Sequence, residues 1–250
     1  MSGQVNENEW YATWFDSPYY PILYGHRDET DAQHFLDELT KLDIFKPGIK
    51  IADVCCGRGR HASYLHAKGF VVFGFDLSQE SISHCQKLAK PGISFFRHDM
   101  RDPFPEAGFD VVLNLFTSFG YFDTIEQNTS ALSHMCAAMK PSGYLVIDFL
   151  NINTVLNQLV VSESVVKEGI RFELSRKVEN GRIEKTIHID DHGKNHVFKE
   201  SVAMLDLDAF KSMLLNCGME IVEVFGNYDL HDFNPILSPR LIIVAKHAQP

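Results

Sequence analysis

Between residues 49 and 150 the chain alternates short apolar runs with amphipathic stretches, and this rhythm limits the possible folds more than any other feature. The apolar runs lie at 49–54, 71–76, 93–98, 109–116 and 144–150. The stretches with a helical period lie at 58–68, 78–90 and 124–139. Such alternation is typical of βαβ units. Because the runs are too uniformly apolar to have a solvated face, we expect a parallel sheet that is covered by helices on both sides.

The pattern changes after Asn151. Apolar and polar side chains now alternate in three stretches, at 170–178, 183–190 and 196–204. The first two stretches are joined by Asn180-Gly181 and the last two by the sequence DDHGKN, both of which are hairpin signals. We therefore predict an antiparallel insertion in the α/β layer.

The end of the chain returns to the first pattern, with a helix near 206–217 and strands near 219–226 and 240–246. The predicted fold is a single α/β domain with a Rossmann-like, seven-stranded, mostly parallel sheet and an antiparallel β insertion after strand 5. Its parts in chain order are an N-terminal lid with a helix, a core, the insertion, and a last helix with a strand pair, at 1–46, 47–150, 151–205 and 206–250.

The N-terminal segment is rich in aromatic residues. Seven of them stand within fifteen positions: Trp10, Tyr11, Trp14, Phe15, Tyr19, Tyr20 and Tyr24. A helical pattern at 28–42 follows. The cluster can be a hydrophobic strap that packs on the sheet. It can also be a helical lid over a site, and the sequence leaves both interpretations open.

The composition excludes several classes of function. The 250 residues include 23 Lys and Arg against 33 Asp and Glu, a formal net charge of −10, which does not suit a phosphate-neutralising surface. The opening MSGQVNENEW lacks the basic and then apolar order of a secretory signal, and no stretch reaches the roughly 20 apolar residues that span a bilayer. We expect a cytoplasmic protein with reduced thiols and no nucleic-acid or membrane partner; the oligomeric state stays open.

Residues 51–61, IADVCCGRGRH, contain the most informative motif. The first predicted strand ends near Asp53, and Gly57 and Gly59 follow where the backbone must turn sharply and let a ligand come close. The spacing Gly57-x-Gly59-x-x-Ala62 also satisfies a dinucleotide fingerprint. The glycines alone therefore do not identify the ligand.

Two further acids end the next two predicted strands. Asp76 stands where a carboxylate can accept hydrogen bonds from both hydroxyls of a ribose, and Asp99 stands where it can accept one from an adenine amino group. The amide of Met100 can support a ring nitrogen. Because the carboxyl ends of neighbouring parallel strands meet at one edge, these acids predict an adenosine site.

With these acids and glycines, the sequence resembles the class I S-adenosylmethionine-dependent methyltransferases over about residues 47–150 and the last two strands. Family members place an acid before the glycine-rich loop, as Asp53 stands here, but commonly have glycine or alanine where this chain has Cys55. The stretches RHDMRDPF (97–104) and LFTSFGYF (115–122) are most similar to small-molecule N-methyltransferases, notably the amino-sugar type. Those enzymes also carry an antiparallel insertion over the active site.

The resemblance implies S-adenosylmethionine as the cofactor of the 47–150 core. Arg60 is either a partner of the cofactor carboxylate or a solvated arginine in the first turn of a helix. The implied contacts are Asp53, Cys55, Gly57 and Gly59 around the methionine part, Asp76 and Leu77 at the ribose and adenine, Asp99 and Met100 at the adenine edge, and the backbone near Leu115 at the amino group.

The implied reaction is transfer of a methyl group to a small polar acceptor, with an amine favoured over a hydroxyl. An amine attacks the sulfonium methyl in line, so the protein mainly aligns the partners and excludes water. Aromatic faces can stabilise the sulfonium. A hydroxyl acceptor would need a general base, for which the candidates are Tyr20, Tyr24, His26, Tyr121 and His231.

Other functions fit the residues less well. An NAD-dependent oxidoreductase shares the glycine loop, but the Tyr-x-x-x-Lys pair occurs only as Tyr64 and Lys68, directly after that loop. We expect no metal, because Cys55 and Cys56 are adjacent and lack the C-x-x-C spacing. The Asn-Pro-Pro-aromatic motif of base-amine methylation is replaced at Asn114 by Asn-Leu-Phe-Thr. A non-catalytic adenosine-ligand-binding module stays an alternative.

Overall fold

The computed structural model describes residues 9–25 and 29–248. Its helices are α1 (Trp10–Trp14), α2 (Tyr19–Tyr24), α3 (Glu29–Leu39), α4 (Arg60–Ala67), α5 (Gln79–Cys85), α6 (Ile125–Ala137), α7 (Ile152–Asn157) and α8 (Leu207–Asn216). Its strands are β1 (Lys50–Val54), β2 (Val71–Asp76), β3 (Ile93–Arg97), β4 (Phe109–Asn114), β5 (Met139–Leu150), β6 (Ser162–Lys167), β7 (Ile170–Glu179), β8 (Arg182–Asp191), β9 (Lys194–Ala203), β10 (Met219–Phe225) and β11 (Arg240–His247).

Seven of these strands form the main sheet, in the order β10-β11-β5-β4-β1-β2-β3. The strands from β1 to β5 pair in parallel with their neighbours, while β11 runs antiparallel to both β5 and β10. The predicted fold class, with a seven-stranded, mostly parallel sheet and an antiparallel insertion after strand 5, is confirmed.

Hydrophobic cores cover both faces of this sheet. In β4, Val112 packs in the core that contains α6 and α8, while Val111 and Leu113 pack in the core that contains α3 and α4. Successive strand residues point to opposite faces, so a strand buried on both sides must be apolar throughout. The polar edge of the sheet, where the strands end, is therefore where a ligand can bind.

The start of β5 differs from the prediction. We expected a helix over 124–139 and a strand from 144, but β5 begins at Met139. Its register against β4 shifts between the pairs Phe109 with Met139 and Val111 with Tyr144. The four residues between these pairs form an irregular insertion in the strand. Helix α5 also ends at Cys85, short of the predicted residue 90.

The insertion is a four-stranded antiparallel sheet, in the order β6-β7-β8-β9, rather than the three strands predicted. Its hairpins turn at Glu168-Gly169, Asn180-Gly181 and His192-Gly193, and all six residues have positive φ. Two positive φ angles are typical of type I′ hairpin turns. The prediction missed β6 because neither the Glu-Gly turn nor its sequence SESVVK gives a strong strand signal.

The N-terminal helices pack on this second sheet. Trp14 and Leu23 are buried in one core with Phe172 and Ile187. The strap interpretation of the aromatic segment is therefore correct for these side chains. Other aromatic residues of the segment face a cavity, which is described below.

Arg182 attaches the insertion to the main domain. Its guanidinium donates to the carbonyl oxygens of Gly120, Tyr121 and Phe122, at 3.3, 3.0 and 2.8 Å, in the loop between β4 and α6. It also donates to the hydroxyl and the carbonyl of Ser201 on β9. One side chain therefore satisfies backbone acceptors on both sides of the junction.

We expect Arg182→Met to lower the free energy of unfolding by about 2–4 kcal/mol, because it leaves several carbonyl groups at the junction without a donor. Urea denaturation followed by circular dichroism would measure the change. The matched control is Arg171→Met, on the exposed side of β7, which should change stability by less than about 0.5 kcal/mol. Equal stability of the two variants would contradict the role of Arg182.

Candidate active site

The loop after β1 turns sharply at two glycines. Gly57 and Gly59 have φ angles of 53° and 79°, and Gly59 caps the start of α4. A Cβ at Gly59 would lie 2.9 Å from the ring of Phe95 and 3.0 Å from Sγ of Cys85. A Cβ at Gly57 would meet open space. Gly59 is thus needed for packing, and Gly57 leaves room on the open side of the loop.

Three non-glycine residues near this loop adopt left-handed backbone conformations. Cys55, Phe116 and Thr117 have φ angles of 64°, 57° and 61°. Each such residue costs on the order of 1–3 kcal/mol and persists only where its surroundings hold it. Cys55 occupies the position at which the predicted family commonly has glycine or alanine, and its left-handed backbone conformation is one that favours glycine.

The strained backbone at the end of β4 is held by Asp148 on β5. The carboxylate and the carbonyl of Asp148 accept hydrogen bonds from the amides of Phe116 and Thr117, at 2.8 and 2.9 Å. Arg240 pairs with the same carboxylate at 2.7 Å and donates to the hydroxyl of Thr117. The pair of Asp148 and Arg240 was not predicted, although an acid within the apolar run YLVIDFL was a signal for it.

Asp76 connects the end of β2 to the glycine loop. Its two carboxylate oxygens accept hydrogen bonds from the amides of Gly57, at 2.7 Å, and Ser78, at 2.9 Å. Burial raises the pKa of Asp76, against the opposing effect of these amides. The carboxylate thereby fixes the shape of the loop.

Asp53 is the most buried of the three acids predicted at the ends of β1, β2 and β3, with only 1% of its surface exposed. Its Oδ2 has no hydrogen-bond partner within the described ranges. Burial, together with the charge of Asp76, raises the pKa of Asp53 to about 7. A cation placed beside Asp53 would favour its ionised form.

Asp99 has a partner that the sequence analysis did not foresee. Arg101 donates to both carboxylate oxygens of Asp99, at 2.6–3.1 Å, and its guanidinium also pairs with Glu9 at 2.7 and 2.9 Å. Burial alone would raise the pKa of Asp99, but the hydrogen bonds and charge of Arg101 hold it below its usual value. The residue that precedes α1 is thus linked to the end of β3.

The three acids converge around Cys55. Burial and the charges of Asp76, Asp53 and Asp99 raise the pKa of the Cys55 thiol well above its usual value. The acids thus lie close together at one edge of the main sheet, as their positions at the ends of β1, β2 and β3 predicted.

A cavity of about 1260 Å³ opens beside this edge. Its wall is built by the N-terminal helices, the glycine loop, the ends of the parallel strands and the second sheet. Ligand pockets typically enclose ~300–1,000 Å³, so this cavity can hold two small molecules together. The predicted cofactor residues that line it are Cys55, Gly57, Arg60, Asp76, Leu77, Asp99, Met100 and Leu115.

The candidate bases are distributed unevenly. Tyr20, Tyr24 and Tyr121 line the cavity. His231 does not line it; this exposed residue contacts Asn227 through its ring. His26 lies outside the described residues.

His61 lines the cavity, although the sequence analysis did not select it as a base. Its ring stacks on Phe116, with centroids 4.7 Å apart and planes within 12°. Burial and the neighbouring Arg60 lower the pKa of His61 to about 3. The ring is therefore neutral at physiological pH and presents an apolar face beside the strained β4 end.

No group of three or more His, Cys, Asp or Glu residues in 9–25 and 29–248 is arranged to hold a metal ion. None of the helices described has the length and hydrophobicity to cross a membrane.

Comparison with known proteins agrees with this geometry. Residues 51–143 match the family described as Methyltransferase domain. A dTDP-3-amino-3,4,6-trideoxy-alpha-D-glucopyranose N,N-dimethyltransferase of Streptomyces venezuelae is 28% identical over 149 residues, which are 58% of this chain and 62% of the relative. The chain thus matches less than two thirds of that relative's length.

Two further proteins extend the comparison. A phthiotriol/phenolphthiotriol dimycocerosates methyltransferase of Mycobacterium tuberculosis is 29% identical over 206 residues, or 80% of this chain and 70% of the relative. The crystal structure of an S-adenosylmethionine-dependent methyltransferase from Clostridium acetobutylicum superposes with a TM-score of 0.78 at 15% identity, covering 92% of this chain and 96% of the other. The motif, the sheet order and these matches agree: residues 51–143 carry a methyltransferase domain, and the chain has the fold of the S-adenosylmethionine-dependent methyltransferases.

Proposed function

We propose that the protein transfers a methyl group from S-adenosylmethionine to a small polar acceptor, with an amine preferred to a hydroxyl. The observation that carries the proposal is the convergence of three strand-end acids beside a cavity with room for a second molecule. Asp76 and Asp99 line the cavity, whereas Asp53 does not line it and is buried close to Cys55. The NAD-dependent oxidoreductase considered from the sequence is set aside by the family match.

The residues at the sheet edge fit the cofactor. The unpartnered Oδ2 of Asp53 suits its ammonium group, and the open space beside Gly57 lets its methionine part approach the backbone. Each oxygen of Asp76 accepts one amide and keeps a second lone pair for a ribose hydroxyl. Asp99 and Met100 would face the adenine edge. When bound, the cofactor supplies a methyl group on a sulfonium.

The aromatic wall would exclude water and hold the acceptor. Phe15 lies between Tyr20 and Tyr121, with ring centroids 5.0 and 5.6 Å away. Aromatic faces stabilise a cation by ~0.5–2 kcal/mol, which suits both a sulfonium and a methylated ammonium product. A neutral amine attacks the methyl group through its lone pair without a base in that step, whereas an alcohol is a weak nucleophile until a base removes its proton. This difference, and the relative named as an N,N-dimethyltransferase, support an amine.

Methylation of an alcohol is the second candidate. The Mycobacterium tuberculosis relative is named for phthiotriol, a triol, and it matches more of this chain than the Streptomyces relative does. In that case Tyr20, Tyr24 or Tyr121 would be the base.

The cytoplasmic location expected from the sequence stays a prediction.

The direct test combines binding and turnover. Calorimetry should detect S-adenosylhomocysteine binding and no response to NADH. Mass spectrometry should then detect methylated products from a panel of small amines at higher kcat/KM than from the matching alcohols. A preference for the alcohols would favour the second candidate. Binding without turnover on either panel would leave only an adenosine-ligand-binding module.

Asp76→Ala should weaken S-adenosylhomocysteine binding at least tenfold, or by about 1.4 kcal/mol, because it removes the ribose acceptor and the anchor of the Gly57 amide. The control is Asp110→Ala. Asp110 also accepts a backbone amide, from Lys50, but it lies at the start of β4, at the opposite edge of the sheet. Calorimetry should show normal affinity for the control; equal losses in both variants would argue against our placement of the ribose.

Affinity for S-adenosylhomocysteine should increase as the pH rises from 6 to 8. Asp53, whose pKa is about 7, is neutral in the acid part of this range and negative in the basic part, where it attracts the ligand's ammonium group. Asp53→Asn should flatten the pH profile measured by calorimetry. A wild-type profile without slope, or a slope kept by the Asn variant, would remove Asp53 from this role.

A further inference from the structure

A buried ion pair lies in the cavity wall, on the second sheet. Lys185 on β8 and Glu200 on β9 are directly opposite in the strand register, with Nζ 2.9 Å from Oε2. Their side chains are only 15% and 18% exposed, and both line the cavity. Two residues of the N-terminal segment complete the group, since Trp14 Nε1 and the Tyr24 hydroxyl donate to Oε1 of Glu200 at 2.8 and 2.7 Å. We call these four residues the wall cluster.

The wall cluster marks a border along β8 and β9. On β8, Ile187 lies two positions after Lys185 and packs in the core that contains Trp14. On the other side of the ion pair, Ile183 lies two positions before Lys185 and Val202 lies two positions after Glu200. These two residues are paired with each other and line the cavity. Since side chains at every second position share a face, the ion pair and the two aliphatic residues form one continuous surface.

Packing alone does not account for an ion pair at this border. Removing a charge from water costs several kcal/mol per ion, and apolar replacements of buried pairs are often as stable or more stable. The helices α1 and α2 already cover the sheet through Trp14 and Leu23. Burial opposes ionisation of Glu200, but Lys185 and the hydrogen bonds from Tyr24 and Trp14 hold its pKa below the usual value. Glu200 therefore stays charged at the cavity surface.

The charges on this wall indicate which ligand group it suits. Lys185 and Glu200 neutralise each other's charge. Arg176 and Glu163, which line the cavity from the same sheet, also form an ion pair with no net charge. A charged ligand group would add an uncompensated ion to this surface. A hydroxyl fits without that cost, because it can donate to a carboxylate and accept from an ammonium group. The aliphatic surface of Ile183 and Val202 suits the apolar face of a ring.

We propose that Lys185 and Glu200 form a subsite for the hydroxyl groups of the acceptor and select a hydroxylated cyclic amine over an amine without hydroxyls. The inference rests on the proposed function and names its substrate class. The amino group would lie toward the sheet edge, and the hydroxyl groups would lie on the wall cluster. Specificity of this kind arises where the wrong ligand covers polar groups without replacing the further hydrogen bonds that they make to water.

The test compares two six-membered-ring primary amines, glucosamine and cyclohexylamine, as ligands of the protein saturated with S-adenosylhomocysteine. Calorimetry of the wild type should show glucosamine binding at least tenfold tighter. Glu200→Gln and Lys185→Met should each reduce that ratio to about threefold or less, while the affinity for S-adenosylhomocysteine changes less than about twofold. The ratio compares two ligands of one preparation, so a smaller folded fraction does not alter it.

The matched control is Glu184→Gln. Glu184 neighbours Lys185 on β8 and pairs with Lys177 at 3.1 Å, but it does not line the cavity. This variant should keep the wild-type ratio. The inference is overturned if both wall variants keep the wild-type ratio, if the wild type prefers cyclohexylamine, or if the loaded wild type binds neither amine. Failure of S-adenosylhomocysteine itself to bind would instead overturn the proposed function.

Discussion

The hydrogen bond between the Gly57 amide and the Asp76 carboxylate is the contact on which the candidate site depends. It joins the ends of two neighbouring parallel strands and sets the course of the loop between β1 and α4. Because the sheet is buried on both faces, its strand ends are the places where carboxylates can gather without being enclosed by apolar side chains. Asp53 is buried at the end of β1, and its Oδ2 has no hydrogen-bond partner among the described residues.

The N-terminal segment has two roles because its two sides meet different surroundings. Trp14 and Leu23 complete a hydrophobic core with the second sheet, whereas Phe15 and Tyr20 pack against that core and also line the cavity. The strap and lid interpretations are thus not exclusive at the level of side chains. The pairing of Glu9 with Arg101 further ties this segment to the strand end that carries Asp99.

The main sheet could be predicted from the sequence because apolar periodicity and strand-end acids are local signals. The convergence of Asp53, Asp76 and Asp99 followed from parallel topology alone. Contacts between distant parts of the chain could not be read in this way, such as Arg182 with the carbonyls after β4. Strand β6 was missed because its sequence SESVVK and the Glu-Gly turn after it give only weak strand signals. The wall cluster joins α1 and α2 to β8 and β9, so no local sequence pattern predicts it.

The covering of the second sheet also constrains the order of folding. Trp14 and its acceptor Glu200 are 186 positions apart, and the core around Trp14 contains residues from β7 and β8. During synthesis the aromatic helices emerge before the strands whose surface buries them. Such long-range contacts form late and slow the search for the native state. This side of the cavity therefore closes only after β9 has left the ribosome.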